Sequence, residues 1–354
     1  MFVSIKITKT PTPKVKPQNP LGFGKYFTDH LVTMEYVDGK WETPQIVPYS
    51  PFSLDPSTAI FHYGQGIFEG LKAYKDAEGS IRLFRTMDNL NRLNDSAHRL
   101  CIPQVDTKIV YEALVELIKL DADWIPTDEG TSLYIRPSII GIDPALGVRA
   151  SSRYIFFIIL SPVGAYYEKG FSPIKLFVEE NYSRAAKGGT GDKKVIGNYA
   201  ASLKAAADAA EKGYSQVLWL DSNEHKYVEE VGAMNICFVF EGNKIVTPAL
   251  TGSILPGITR RSILELASAN GMAVEERLVS IEELVNGVKS GKCSEIFGTG
   301  TAAVVSPVGA FSYKGEEISV NGGKLGEITL KLYKELTGIQ TGRIEDKFGW
   351  SIKI

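Results

Sequence analysis

The sequence is poor in the residues that build metal centres, disulfide scaffolds and membrane spans. Its 354 residues include only 3 cysteines and 4 histidines. Cys101, Cys237 and Cys293 are odd in number and far apart, which excludes a disulfide framework and fits a reducing compartment. His30, His62, His98 and His225 are scattered with no ligand spacing, so no metal is expected. Charge of neither sign dominates: 39 basic and 41 acidic residues leave a net charge of −2, which argues against nucleic acid as a partner. Long apolar runs are missing as well. The longest, Tyr154–Val163, is far short of the roughly 20 residues a membrane helix needs, and reads as a buried strand. Residues 1–20 alternate Lys6, Lys9, Lys14 and Lys16 with Pro11, Pro13, Pro17 and Pro20. They have neither the apolar core of a secretory signal nor the Arg/Ser bias of a transit peptide. A flexible arm, mobile or draped on the surface, and a cytoplasmic, membrane-free protein are the expectations.

What is present is an ordinary soluble enzyme composition, 44% hydrophobic and 23% charged, and a length that suits two domains. The first half reads as α+β. Strands are expected at 29–37, 81–84, 132–140 and 154–160, where β-branched and aromatic residues concentrate. Ile109, Val110, Ala113, Leu114, Leu117 and Ile118 recur at helical spacing and predict a helix over 106–120. Pro162, Gly164, Gly170 and Pro173 mark the best linker, dividing the chain into a small α+β domain at 21–163, a linker at 164–173 and a large domain at 174–354. The second half opens with a strand at 174–179. A glycine-rich loop at 188–191 leads to an alanine-rich helix at 198–212, which Gly213 ends. Strands at 216–220 and 235–240 and a helix at 259–270 follow.

The glycine clusters Gly64-Gln65-Gly66 and Gly188-Gly189-Thr190-Gly191 fit neither the dinucleotide fingerprint nor a P-loop. They mark turns or close backbone approach. Lys193-Lys194 precede Gly197-Asn198-Tyr199. In isolation this is a solvated loop. The sharper reading makes one lysine a covalent carrier of a carbonyl cofactor, its ammonium deprotonated by partial burial beside another cation. Tyr199 could then donate to a phenolate oxygen. Of the adjacent Glu229 and Glu230, one held against a pyridine nitrogen would keep that nitrogen protonated. The run Gly252-Ser253-Ile254-Leu255-Pro256-Gly257 precedes a helix whose first N–H groups favour a phosphate. Arg92 could supply its cation.

Each signal is weak alone, but their order and spacing match one family. The chain resembles the branched-chain amino acid aminotransferases, fold-type IV enzymes that use pyridoxal 5′-phosphate. The anchor strings are Phe23-Gly24-Lys25 with Phe27-Thr28-Asp29-His30; His62-Tyr63-Gly64 with Phe68-Glu69-Gly70; Tyr134-Ile135-Arg136-Pro137; Gly197-Asn198-Tyr199; Glu230-Val231-Gly232; Leu255-Pro256-Gly257; and Gly298-Thr299-Gly300-Thr301-Ala302. The resemblance runs from Phe23 to Thr301 and on into a C-terminal helix. It implies a two-domain fold, α+β and α/β, with the cofactor in the interdomain cleft, and amino-group transfer between leucine, isoleucine or valine and 2-oxoglutarate, giving glutamate. It implies that Lys194, rather than Lys193, carries the cofactor. Tyr199 should meet its phenolate oxygen and Glu230 its pyridine nitrogen. Arg92, the backbone of Ile258 and Thr259, and Thr301 should hold its phosphate. Tyr134 and the N–H groups of Thr301 and Ala302 should bind the substrate carboxylate, and Arg136 the second carboxylate of glutamate. Phe23, Tyr63 and Phe68 should wall the side-chain pocket, and Val148 should reach the site of a second subunit in a homodimer.

The chain also departs from the family. Ile196 stands where a glycine is usual, and Ala233 replaces a threonine found in some relatives. Ala303 and Ser306 occupy the places of the redox-active cysteine pair of mammalian members. Length and the Phe-Thr-Asp-His string are more like the longer, eukaryote-like branch than the shorter bacterial one. A D-amino-acid aminotransferase or an aminodeoxychorismate lyase is the rival within the fold, disfavoured by Tyr134-Ile135-Arg136 and by length. An inactive cofactor-binding protein is the rival outside it, disfavoured by Lys194, Tyr199 and Glu230 together.

Overall fold

The computed structural model describes residues 5–164 and 171–354. Residues 165–170, most of the expected linker, lie outside that description. Among the described residues the chain forms two compact units. The first comprises Met1–Glu168, Lys193–Gly197 and Ile339–Ile354, and the second Lys169–Asp192 and Asn198–Gly338. A linear division assigns 193–197 and 339–354 to the second half. Pairing explains why they group with the first: Val195 bridges Ile67, and Ser351–Lys353 pairs antiparallel with Ile81–Phe84.

The first unit is built on a sheet whose strands run Lys6–Ile7, Gln45–Pro48, His30–Val37, Tyr154–Val163, Ser132–Gly141, Leu71–Lys75, Ile81–Phe84 and Ser351–Lys353. Gly66–Phe68 also pairs with Ser132–Gly141. Ser132–Gly141 and Tyr154–Val163 are antiparallel along their whole length. Alternation then puts Leu133, Ile135 and Ile139 on one face and Tyr134, Arg136 and Ser138 on the other. The first three are fully buried in a core shared with the helices Thr86–Arg99 and Thr107–Leu120. Val110, Ala113, Leu114, Leu117 and Ile118 all point into that core, as their spacing predicts. Asp106 caps the second helix, accepting from Lys108 N at 2.9 Å and Ile109 N at 3.3 Å.

From residue 5 on, the N-terminal arm is largely exposed and lies along the first unit, the draped of the two alternatives. Lys6–Ile7 pairs with Gln45 and Ile46. Thr10 N donates to His30 Nε2 at 2.9 Å, and Lys14 N to Asp29 Oδ1 at 2.7 Å. Its backbone donors find buried or fixed acceptors, which prolines alone do not reveal.

The second unit is a mixed sheet in the order Val228–Val231, Gln216–Leu220, Ile174–Val178, Val304–Tyr313, Cys293–Gly300, Met234–Phe240, Lys244–Pro248 and Ala273–Arg277. Ile174–Val178 runs parallel to both neighbours, and Val228–Val231 closes back onto Met234–Phe240. The alanine-rich stretch forms two pieces, Gly197–Ala200 and Leu203–Glu211, rather than one helix. Ser202 Oγ donates to Tyr199 O at 2.8 Å at the break, the competition with backbone bonding that serine commonly provides. No helix among the described residues is long and apolar enough to cross a membrane.

Candidate active site

In the first unit Lys194 sits on a short ribbon fixed from two sides. Phe68 N donates to Lys194 O at 3.1 Å and Ile196 N to Gly66 O at 3.0 Å, pairing the ribbon with Gly66–Phe68. From helix Thr86–Arg99, Ser96 Oγ accepts from Lys194 N at 3.0 Å. The Ile196 departure is accommodated at Gly66, where any Cβ would come within 2.6 Å of Ile196 Cδ1 and 2.7 Å of Ile60 Cδ1. The ribbon therefore keeps its course because Gly66 is bare.

The same helix carries Asn89 and Arg92, so Asn89, Arg92 and Ser96 share one face at spacings of three and four. Arg92 grips Glu69 with two parallel bonds, Nε to Oε1 at 2.7 Å and Nη2 to Oε2 at 3.0 Å. Asn89 Nδ2 and Gly70 N also donate to Glu69 Oε2, at 2.8 and 3.1 Å. Burial of Glu69 favours its protonated form. The charge and bonds of Arg92, with the charge of Lys194, outweigh this and hold the carboxyl below its usual range.

Phe68 ties the lysine to the expected pocket residues. Lys194 Nζ lies 4.9 Å from the Phe68 ring centroid and Arg136 Cζ 4.5 Å from it. Arg136 Nη2 donates to the Tyr134 hydroxyl at 3.2 Å, while Arg136 Nε is buried without a hydrogen-bond partner. Phe23 packs edge-on against Tyr134, ring centroids 4.9 Å apart. Gly70 has to be glycine, since a Cβ there would fall 2.1 Å from the Tyr134 hydroxyl. Lys72, opposite Tyr134 in register, is buried, and burial pushes its ammonium down to about 8. Phe23, Phe68, Tyr134, Arg136, Lys194 and Arg92 are thus brought together.

Tyr63 and Val148 are placed apart from that cluster. Tyr63 ends the short helix Ala59–Tyr63, and its hydroxyl donates to Leu146 O on the loop that carries Val148. Phe61, Tyr63, Leu146 and Val148 form an exposed apolar set, Val148 being 84% exposed. Asp143 holds the loop's two ends, accepting from Arg149 Nη1 at 2.7 Å, Ser152 N at 2.9 Å and Arg153 N at 2.9 Å.

In the second unit Glu230 is buried, ion-paired on one oxygen and hydrogen-bonded on the other. Arg184 Nε lies 2.8 Å from Oε2, and Asn235 Nδ2 and Leu255 N each donate to Oε1 at 3.1 Å. Asn235 also donates to Leu255 O at 2.8 Å, and a Cβ on Gly257 would strike its Oδ1 at 1.9 Å. The Leu255-Pro256-Gly257 turn is thereby fixed to Glu230. Ile258–Ala269 follows at once, and no side chain caps it at Gly257, leaving its start to backbone donors at Ile258 and Thr259. Glu229, bonded to the Ser253 hydroxyl, has its carboxyl raised by burial. Tyr199 lies in the Gly197–Ala200 turn, after Asn198 Nδ2 and Thr190 O, which are 2.7 Å apart. Thr301 and Ala302 occupy the turn between Cys293–Gly300 and Val304–Tyr313. Val304 closes that turn at φ +61°, a strained conformation for a β-branched residue. Ala233 lies in the turn between Val228–Val231 and Met234–Phe240, where Gly232 O accepts from Trp219 Nε1 at 2.9 Å.

Sequence reasoning missed Glu69, Asn89, Ser96, Arg184 and Asn235. Asn89, Arg92 and Ser96 carry a signal, a polar stripe on an otherwise apolar helix face. Arg184 carries none, because its partner is 46 positions away.

The first unit thus holds a pinned lysine beside a buried arginine–carboxylate fork, and the second holds a buried carboxylate tied to the turn before an uncapped helix start. The family described as Amino-transferase class IV matches residues 66–311. Branched-chain-amino-acid aminotransferase 2 of Bacillus subtilis is 53% identical over 99% of this chain and 97% of its own length. The Escherichia coli branched-chain amino acid aminotransferase crystal structure superposes with a TM-score of 0.74 at 29% identity, covering 90% of this chain and 98% of that one. The T.th. branched-chain amino acid aminotransferase solved with pyridoxamine 5′-phosphate has a TM-score of 0.74 at 27% identity, covering 90% and 97%. The chain belongs to the class IV aminotransferases, and among them to the branched-chain-amino-acid aminotransferases. The match to B. subtilis along nearly its whole length places the longer form in a bacterium, so length does not separate a eukaryote-like branch from a bacterial one.

Proposed function

We propose that the enzyme moves the amino group between leucine, isoleucine or valine and 2-oxoglutarate, using pyridoxal 5′-phosphate attached to Lys194. The observation that carries this reading is the shared Phe68 ring, with Lys194 Nζ at 4.9 Å and Arg136 Cζ at 4.5 Å. An amine for the chemistry and a cation for a second carboxylate meet beside one aromatic wall. Each unit by itself also carries groups that suit the cofactor: the first a positioned lysine and an arginine oriented by Glu69, the second an uncapped helix start and a buried carboxylate. When bound, the cofactor supplies an electron sink and carries the amino group between half-reactions.

The protein's own groups do the rest. Lys194 Nζ holds the cofactor, then takes and returns the proton at the substrate Cα. Arg92, the N–H groups of Ile258 and Thr259, and Thr301 hold the phosphate. The Tyr199 hydroxyl donates to the phenolate oxygen, and Glu230 holds a proton on the ring nitrogen. Tyr134 and the N–H groups of Thr301 and Ala302 bind the substrate carboxylate, and Arg136 the second carboxylate of glutamate. Phe23 and Phe68 line the side-chain pocket, and Tyr63, bonded to the loop that carries Val148, would join it with that loop from a second copy. The exposed set around Val148 supports a homodimer in which this loop meets a second copy, since contiguous exposed apolar surface marks interfaces. A cytoplasmic setting agrees with the free cysteines. A coupled assay with leucine and 2-oxoglutarate tests the reading: turnover to glutamate is expected, and none with any of the three branched amino acids would refute it.

A further inference from the structure

We propose that Glu69 is the positioning residue of the cofactor site, aiming Arg92 and holding a fixed negative charge beside Lys194; this rests on the function proposed above. Glu69 is completely buried in the turn that follows Gly66–Phe68. Four N–H donors converge on its carboxylate, from Arg92 Nε, Arg92 Nη2, Asn89 Nδ2 and Gly70 N. None is an acceptor, so the site is built for a carboxylate and for no neutral side chain. The fork occupies the Nε/Nη2 edge of Arg92, and because guanidinium is planar the Nη1 end is fixed pointing away from Glu69. An arginine so held meets a phosphate without first losing side-chain freedom. Asn89, on the same helix face, pins Glu69 Oε2 and also donates to Gly70 O at 3.2 Å. Ser96, one turn on, holds the Lys194 backbone. One helix face and one carboxylate therefore set the arginine and the lysine together. The charged groups facing Glu69 are Arg92 from the helix and Lys194 from the ribbon.

The test uses holoenzyme and three variants, reading the cofactor's dissociation constant and the midpoint of the visible absorption band titrated with pH. In Glu69→Gln the new NH₂ faces donors and the charge is gone. The dissociation constant should rise roughly tenfold or more, and the midpoint should fall by about one pH unit, as loss of a neighbouring anion disfavours the cationic form. Glu69→Asp keeps the charge but lacks one methylene. Its midpoint should return close to wild type while its affinity stays weakened. Should Glu69→Gln fail to fold, Asn89→Ala leaves both charges in place and should weaken affinity severalfold with an unmoved midpoint. Wild-type affinity and midpoint in the folded variants, with only the melting temperature lowered, would overturn the proposal and leave Glu69 a structural residue. Wild-type protein without a visible band or a reducible linkage at Lys194 would instead remove the function on which it rests.

Discussion

Arg184 and Glu230 form a buried ion pair, Nε to Oε2 2.8 Å, with side chains 9% and 4% exposed. Arg184 also donates to Gly191 O at 3.2 Å and to Ser253 O, so the glycine-rich loop and the turn before Ile258–Ala269 are tied to one carboxylate. Breaking such a pair leaves a buried charge uncompensated. Glu230→Gln is isosteric and removes the charge proposed to keep the ring nitrogen protonated. The chemical step should slow by about a hundredfold or more, while substrate still binds. Single-turnover rates and substrate affinity measured on the same preparation check this. Near-normal rates would take Glu230 out of that role.

Arg136 contacts Phe68 and Tyr134 and keeps a buried Nε without a partner. A buried carboxylate without a partner is costly. Arg136→Met should therefore harm the glutamate half-reaction by about tenfold more than the leucine half-reaction. Half-reactions measured separately give the comparison; equal losses would mean that Arg136 serves the aromatic wall and not the second carboxylate.

Acid sensitivity follows from carboxylates held ionised by the fold. Asp221 accepts from the N–H groups of Asn223, Glu224, Lys226 and Tyr227 at 2.8–3.1 Å. Burial works against its ionised form, but these bonds prevail and lower its carboxyl below the ordinary value of 3.8. Asp143 and Glu69 are lowered too, the latter from 4.5. A depressed folded value means that the stabilisation is complete above the ordinary carboxylate range. It is lost as pH falls through that range toward the lower folded values. The urea midpoint should hold steady above that range and drop below it. Asp221→Ala should lower stability by about 2 kcal/mol at neutral pH and flatten the acid limb, as urea titrations across pH would record.

Oxidation should not switch this enzyme through an internal disulfide. Burial pushes the Cys237 thiol up to about 11 and the Cys293 thiol up to about 12, which leaves almost no thiolate for attack. Cys101 is exposed, and Ala303 and Ser306 carry no thiol. Mild peroxide should leave no intramolecular disulfide on peptide mapping. A mapped internal bond, with activity restored by thiol, would contradict this.

Much of the fold is legible because burial repeats with the period of the element. The helix Thr107–Leu120 and the strands Ile81–Phe84 and Gln216–Leu220 follow from apolar spacing alone. The break at Ser202 is hidden because alanine-rich sequence favours helix throughout, and one hydroxyl bond interrupts it. The tie between Thr10 and His30 is hidden because its partners lie 20 positions apart. Composition alone offers no choice between Lys193 and Lys194; the family's spacing makes it. The ribbon beside Gly66–Phe68 gives Lys194 its neighbours, Phe68 and Ser96. Glu69 stands in the sequence only as one letter of a string, since four donors meeting on one carboxylate is a three-dimensional fact.

The central claim is that Lys194 carries the cofactor. Borohydride reduction of holoenzyme followed by peptide mapping tests it most directly. Lys194→Ala in parallel should keep the melting temperature, because a half-buried lysine side chain adds little apolar packing, and should lose turnover. A phosphopyridoxyl label on Lys194, and none in the variant, is the predicted result. A label on Lys193 or Lys187, or unchanged turnover in Lys194→Ala, would contradict the account.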